Sequence, residues 1–476
     1  MHLAGYAARA DAGSTGTRSN VEIRDDPEEL SDEGAPTTAG WDGPYSLPYT
    51  LWVLLLVLLV SGFSTLDRTI VSILVDRIKA DFQLTDTQLG LLMGPAFAIV
   101  YALLVLPMAR LSDIWVRRTI VAASLFAWSL FTASAHFAQT FAQLFASRIG
   151  VGIGEAGGTA PNVSMLADYL PPRHRARGIS VISIGATLGM GMGMILGGYF
   201  AEAYSWRVAF LAAGVPGMVL AVLYRLTVRE PARGASQRQD ATAGSSETRV
   251  TVSETILYLF RTRTLRIILL ANALSLFAAM GRNMWEPGFI IRSYEMGEAR
   301  AALWYFLTSP LPSAFGIWLG GRLADTLGSR DARWYLWIPA IGQGLAVPIL
   351  VGFLLWPREH EIFGIPFAFV LSFFGSIVGA FFTAPFMATL QGIARLRMRA
   401  FAAGLSSLLS TLVGLCAGPL LVGFLADRFE ASFGNEALRY SLLVPTIAPL
   451  FSAIVCVIGA GAVASDLARA RRSDSP

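Results

Sequence analysis

LFASRIGVGIGEAGGTAP, residues Leu144 to Pro161, decides what kind of fold this chain has. The stretch is apolar enough to lie in a bilayer, yet it holds Arg148 and Glu155. They stand seven residues apart, so on a helix they share one face, two turns apart. An ionised side chain at membrane depth costs roughly 3 kcal/mol or more, and such groups face a bundle interior and have partners. Gly150, Gly152, Gly154, Gly157 and Gly158 surround the pair. Small residues let neighbouring helices approach closely. The stretch therefore predicts a helix packed inside a membrane bundle, with two charges that need explaining.

The rest of the chain agrees. It has 476 residues, 54% hydrophobic and 15% charged, with mean hydropathy +0.55. That balance excludes an ordinary soluble globule of this length. The net charge is +4, but the arginines sit in short loops between apolar runs, which reads as membrane topology and not as nucleic-acid binding. Lys79 is the single lysine, a bias typical of a GC-rich bacterial genome. Cys416 and Cys456 lie in apolar runs and predict neither a disulfide framework nor a metal site. The four histidines lack ligand spacing. GIGEAGG at residues 152–158 imitates a phosphate loop, but no Gly-Lys-Ser/Thr follows. No enzyme, cofactor or metal is expected.

Residues 1–48 are polar, with acids clustered from Asp25 to Glu33, and read as a disordered tail and not a signal peptide. Twelve apolar runs follow: Tyr49–Arg77, Thr87–Ser112, Arg118–His136, Phe141–Tyr169, Gly178–Tyr204, Trp206–Leu226, Leu265–Ile291, Leu303–Leu323, Trp334–Leu355, Ile362–Ile393, Ala400–Ala426 and Leu438–Val463. They form two six-helix halves, 49–226 and 265–463, divided by a polar linker at 227–264 and followed by a tail at 464–476. Arg110, Arg117, Arg118, then Arg173, Arg175, Arg177, then Arg322, Arg330, Arg333, then Arg395, Arg397, Arg399, and finally Arg469, Arg471, Arg472 mark one side. That side is cytoplasmic by the positive-inside rule, with both termini on it.

One loop occurs twice. ARLSDIWVRR, Ala109–Arg118, aligns with GRLADTLGSR, Gly321–Arg330, so that Asp113 matches Asp325 and Arg118 matches Arg330. An acid at a helix end followed by arginines can pair with the next loop and with helix termini. Asp113, Arg117, Arg118, Asp325 and Arg330 are the expected gating residues.

The repeat resembles the G-x-L-A-D-R-x-G-R-R signature of the major facilitator superfamily. Arg148, Gly152 and Gly154 resemble its R-x-x-x-G-x-G pattern. Gly189, Gly193, Gly197 and Gly198 resemble the helix-5 pattern of its exporters and antiporters, with Met194 where proline is usual; the same glycines also read as a packing stripe. Within the superfamily the chain is similar to the spinster family, through LDR at 66–68, GEAGGTAPNVSMLADYLPPRHRARG at 154–178 and SWR at 205–207. The resemblance implies an all-α membrane fold of twelve helices, two pseudo-symmetric halves each built from inverted three-helix units, in the bacterial inner membrane. It also implies secondary transport by alternating access, with an amphipathic, lysophospholipid- or sphingolipid-like substrate. Export of small organic anions or drugs, and a non-transporting receptor on this scaffold, are the alternatives. The expected partners are the substrate, protons and the bilayer, with no nucleic acid, and the expected state is a monomer.

Asp67 and Arg68 fall near the middle of the first helix, and superfamily architecture places that helix beside the fourth. Asp67, Arg68, Arg148 and Glu155 can then meet at one depth, as a proton-carrying network or as a static one. In the seventh helix Arg282 and Glu286 are spaced to pair, before Pro287, which can bend or end the helix. They form part of a substrate path, or a snorkelling interfacial pair with Trp285 in the aromatic belt. Met190 and Met194 share a face and either line an adaptable cavity or fill the core.

Overall fold

The computed structural model describes residues 43–171, 174–232, 252–395 and 398–474. Most of the expected tail, the centre of the linker, Arg173 and Arg397 lie outside the described residues, as do the side chains of Arg471 and Arg472. Among the described residues the fold is all-helical apart from one two-stranded ribbon, Glu361–Ile362 with Ile365–Pro366. Among the described residues, nine helical stretches are long and apolar enough to cross a membrane.

The first half runs α1 (Leu47–Phe82), α2 (Asp86–Met93), α3 (Pro95–Ile114), α4 (Arg117–Ser134), α5 (Phe141–Glu155), α6 (Thr159–Tyr169), α7 (Arg175–Ala203) and α8 (Trp206–Thr227). After α9 (Val252–Arg261), the second half runs α10 (Arg263–Tyr294), α11 (Glu298–Thr308), α12 (Pro310–Gly328), α13 (Trp334–Leu355), α14 (Phe367–Gly379), α15 (Thr383–Ile393), α16 (Arg399–Ser410), α17 (Gly418–Phe433), α18 (Ala437–Ile447) and α19 (Pro449–Asp474). Local chemistry sets the ends. Thr85 and Gln88 close a capping box on α2, and the Thr140 and Ser205 hydroxyls accept the backbone N–H of Gln143 and Val208 to start α5 and α8. Several runs expected to be continuous are broken. Gly94 and Pro95 separate α2 from α3, the glycines at 157 and 158 separate α5 from α6, and Ser309 and Pro310 separate α11 from α12. Residues Thr411–Ala417 form a π-helical segment between α16 and α17.

Two boundaries differ from expectation. The linker is not polar coil up to residue 264. Within it α9 buries Leu259 among Leu265, Leu390, Ile393 and Ala402, and Tyr258 donates its hydroxyl to the Ile393 carbonyl at 3.0 Å. The tail at 464–476 begins as the continuation of α19, where buried Asp466 accepts the Thr264 N–H and hydroxyl at 3.1 and 2.7 Å. A helix start can be capped from a distant segment, and no local pattern in 464–476 announces that.

The closest packing in the first half is α1 on α7. A Cβ on Gly189 would stand 2.0 Å from the Gly62 carbonyl oxygen, and one on Gly185 would stand 2.3 Å from that of Leu58. The obstacle is backbone, which cannot step aside. The helix-5 glycine stripe thus serves a helix crossing. Gly189→Val should cost about 3 kcal/mol through overpacking. A thermal unfolding midpoint equal to wild type in purified protein would contradict the crossing.

Candidate functional site

The four expected network residues converge where α1 meets α5. Arg68 reaches across from α1 and forms a salt bridge to Glu155 at the end of α5, its Nε donating to Oε2 at 2.6 Å. The Ser64 hydroxyl donates to the same oxygen at 3.0 Å. Glu155 is buried, while the Arg68 side chain keeps 29% exposure. Phe97 and Tyr101 of α3 hold the guanidinium 4.7 and 5.1 Å from their ring centroids. Arg148 does not touch Glu155. It donates to the Asp67 carbonyl at 3.1 Å and lies 5.1 Å from the Phe210 ring centroid. Asp67, Arg68 and Arg148 share the lining of a chamber of about 10 Å³, and neither Asp67 carboxylate oxygen has a partner in good hydrogen-bond geometry.

Two spaces flank this network. A chamber of about 40 Å³, lined by Ser61, Ser64, Asn162 and Glu155, lies toward the α1 N-terminus and holds enough volume for water. A cavity of about 320 Å³ places Arg68 opposite Asn272, Phe386, Ser406, Ser410 and Leu415 of the other half.

The loop pair behaves asymmetrically. Arg117 is buried at 3% exposure, donating to Asp168 at 2.6 Å, Glu230 at 2.9 Å, Ser164 at 2.9 Å and the Pro231 carbonyl at 2.9 Å. The Arg118 backbone N–H donates to Glu230 at 2.8 Å. Asp113 is exposed, as are Asp325 and Arg330, and the Tyr335 hydroxyl contacts Asp325 at 3.4 Å. Asp168 and Glu230 were not legible as partners, since they lie 51 and 113 residues from Arg117. The SWR triplet joins helix ends: the Trp206 indole donates to Asp81 at 3.0 Å, Arg207 pairs with the same carboxylate, and Ser205 caps α8.

Three readings of the remaining residues change. Pro287 does not end α10, which continues to Tyr294. Arg282 and Glu286 pair at 3.2 Å but are buried, at 8% and 0% exposure, and Trp285 is buried with its N–H on the Pro419 carbonyl at 2.9 Å. They are interior groups and not a snorkelling pair with an aromatic-belt tryptophan, because α10 packs against α17, α18 and α19 and this face is buried. Met194 is 1% exposed with its sulfur 3.6 Å from the Ser72 hydroxyl, so it fills the α1–α7 contact and lines no path. Met190 is half-buried on the same helix.

A second charge cluster, unexpected from the sequence, joins the halves at the C-terminal end of α1. Arg292 pairs with Asp76 at 2.7 Å and Asp86 at 3.1 Å, Arg77 pairs with Glu298 at 2.5 Å, and Asp427 accepts the backbone N–H of Asp86 and Thr87. Burial acts to raise the Glu298 pKa, but the Arg77 hydrogen bond, Glu298's own backbone N–H and the Arg77 charge outweigh it and hold the carboxyl below its ordinary value. A depressed acid contributes fully above its unfolded value and loses that contribution as pH falls through the lowered one. Spin labels on the adjacent ends of α1 and α11 should therefore keep one separation from pH 8 to about 5 and part only in stronger acid. Parting near neutral pH would contradict this.

With this geometry in place, comparison with known proteins is informative. The Major Facilitator Superfamily profile matches residues 57–358. The chain belongs to the major facilitator superfamily. An MFS-type efflux pump of Mycolicibacterium smegmatis is 30% identical over 412 residues, covering 86% of this chain and 92% of that protein. The sphingosine-1-phosphate transporter SPNS2 of Danio rerio is 24% identical over 401 residues, covering 80% and 78%. A crystal structure of a bacterial homologue of the human lysosomal transporter Spinster, inward-facing and unoccupied, superposes with a TM-score of 0.79 at 25% identity, covering 89% of this chain and 99% of that one. Within the superfamily the transporter is spinster-like. It is a multi-pass membrane protein that moves a solute, not an enzyme.

Proposed function

We propose that this transporter couples protons to the movement of an anionic amphiphile of the lysophospholipid or sphingolipid-like class across a bacterial inner membrane. The observation that carries the reading is Arg68, which is shared between Glu155 and the cavity. When a substrate anion takes the guanidinium, Glu155 loses its counter-charge and takes a proton through the Ser61–Ser64 chamber. A buried carboxylate without a cation is costly, so substrate and proton load together. Asp67, beside Arg148, is the second acid of this network.

The architecture supports alternating access. Counting the broken pairs α5/α6 and α11/α12 as single spans, and dividing the stretch 401–470 in two, turns nine candidate spans into twelve, six to each half. Both termini then lie on the arginine-rich, cytoplasmic side. The Arg292 and Arg77 clusters close the opposite side, and the Arg68 cavity runs along α15 and α16 past Leu390 and Ser406, as in an inward-open state. Asp113, Arg118, Asp325 and Arg330 are the cytoplasmic gate elements that engage on switching, around Arg117, which Asp168 and Glu230 already hold. The protein works as a monomer.

The test is uptake of radiolabelled lysophosphatidate into proteoliposomes under imposed pH gradients of either sign, with ethidium and p-aminohippurate as alternative cargoes. Gradient-dependent accumulation of the lysolipid supports the reading. Accumulation of only the small solutes would replace it with the drug or organic-anion exporter, and transport of none of the three would overturn the lysolipid reading.

A further inference from the structure

The second half carries a pocket that the charge network does not explain. It is a cavity of about 290 Å³ among α10, α12, α13, α14 and α18, and it adjoins the Arg68 cavity through Leu276, Met280, Phe382 and Thr383, which line both. Most of its wall is apolar. Three buried polar atoms on the residues of that wall have no hydrogen-bond partner among the described residues: Gln343 Oε1, Asn283 Oδ1 and Ser376 Oγ. Gln343 and Ser376 are each only 2% exposed. A buried polar atom left unpaired is costly, so several on the residues of one wall point to something that pairs with them.

The neighbouring hydroxyls fix which way Gln343 points. Ser275 donates its hydroxyl to the Ala271 carbonyl at 2.7 Å, and Ser452 donates to the same carbonyl at 3.0 Å. Ser275 Oγ is therefore an acceptor toward Gln343, and Nε2 donates to it at 2.7 Å. The amide oxygen is left without a partner at the cavity wall. An unpaired amide oxygen and a serine hydroxyl ask for a donor. Arg282 on the same wall disfavours a cationic donor such as an ammonium.

We infer that this pocket is a second substrate subsite, one that binds a neutral hydrogen-bond donor, a hydroxyl or an amide N–H, at the end of the substrate opposite its anion. The substrate is then polar at both ends, with an apolar middle lying along Leu276, Met280 and Phe382. The inference rests on the proposed role of Arg68 only for the location of the anionic end.

Binding to the full-length protein in nanodiscs tests it, read by scintillation proximity with tritiated probes. One pair is dodecanoate and 12-hydroxydodecanoate, with the eight- and ten-carbon homologues. The other is 1-dodecanol and 1,12-dodecanediol, which carry no anion. A terminal hydroxyl should tighten binding about tenfold at one chain length in the acid series, and should favour the diol over the alcohol. Gln343→Leu and Ser376→Ala should each reduce that preference while leaving dodecanoate affinity within about twofold. The inference is overturned if no chain length shows a hydroxyl preference, or if the preference survives both substitutions. Failure of the Arg68 reading looks different: Arg68→Ala would leave dodecanoate binding unchanged while the diol preference persisted.

Discussion

Glu155→Gln should erase pH-driven accumulation. One coupled proton and an imposed gradient of two pH units support about a hundredfold accumulation at equilibrium, since each unit is worth a factor of ten. The variant should level off near a ratio of about one under the same gradient. The amide keeps the size of the carboxyl and can still accept from Ser64, so the α1–α5 contact survives. It carries no charge to hold Arg68, which is left free for the substrate anion. Exchange of labelled for unlabelled substrate without a gradient should therefore continue, and substrate affinity should hold or improve. That split between accumulation and exchange separates a proton role from misfolding, which would remove both. Undiminished accumulation by the Gln variant would end the proposed role of Glu155.

The second large effect lies at the other end of the first half. Arg117 is the buried cation that Asp168 and Glu230 share, and its four side-chain bonds tie the start of α4 to α6 and to the chain beyond α8. Removing one partner of a buried ion pair leaves the other charge uncompensated, at a cost of about 3–5 kcal/mol. Arg117→Ala should lower the unfolding midpoint of the purified protein well below that of Arg118→Ala, whose side chain, among the described residues, donates to the Val228 carbonyl at 3.2 Å. Arg117→Lys should fall between, because a lysine ammonium is a point charge and cannot reproduce the guanidinium fork across two carboxylates. Equal midpoints for the Arg117 and Arg118 alanine variants would show that the cluster is not a structural lock.

These two sites were legible to different degrees. Glu155 and Arg148 announced themselves because a charge inside an apolar run is expensive wherever the run folds. Arg68 and Asp67 followed by the same logic. Arg117 was legible as part of the repeated loop, but the repeat made Asp113 and Arg118 look equally important. In the structure Asp113 is exposed, while the buried charges are Arg117 and Asp168. The clusters around Arg292 and Arg77 were not legible at all. Their acids, Asp76, Asp86 and Glu298, stand near helix ends, where a charge meets water cheaply and carries no signal of its own.

Hydropathy and charge cost, both local quantities, thus determine from the sequence alone that this chain is a membrane bundle and which polar groups sit at depth within it. Partner choice belongs to tertiary structure. It depends on how far each helix rotates about its axis and where pairs of helices cross, and at Gly62, Gly185 and Gly189 that crossing is set by backbone meeting backbone. For this reason Leu144–Pro161 could show that Arg148 and Glu155 need partners, and only the packed chain could give Glu155 to Arg68, Arg148 to the Asp67 backbone, and the unpaired oxygen of Gln343 to a cavity.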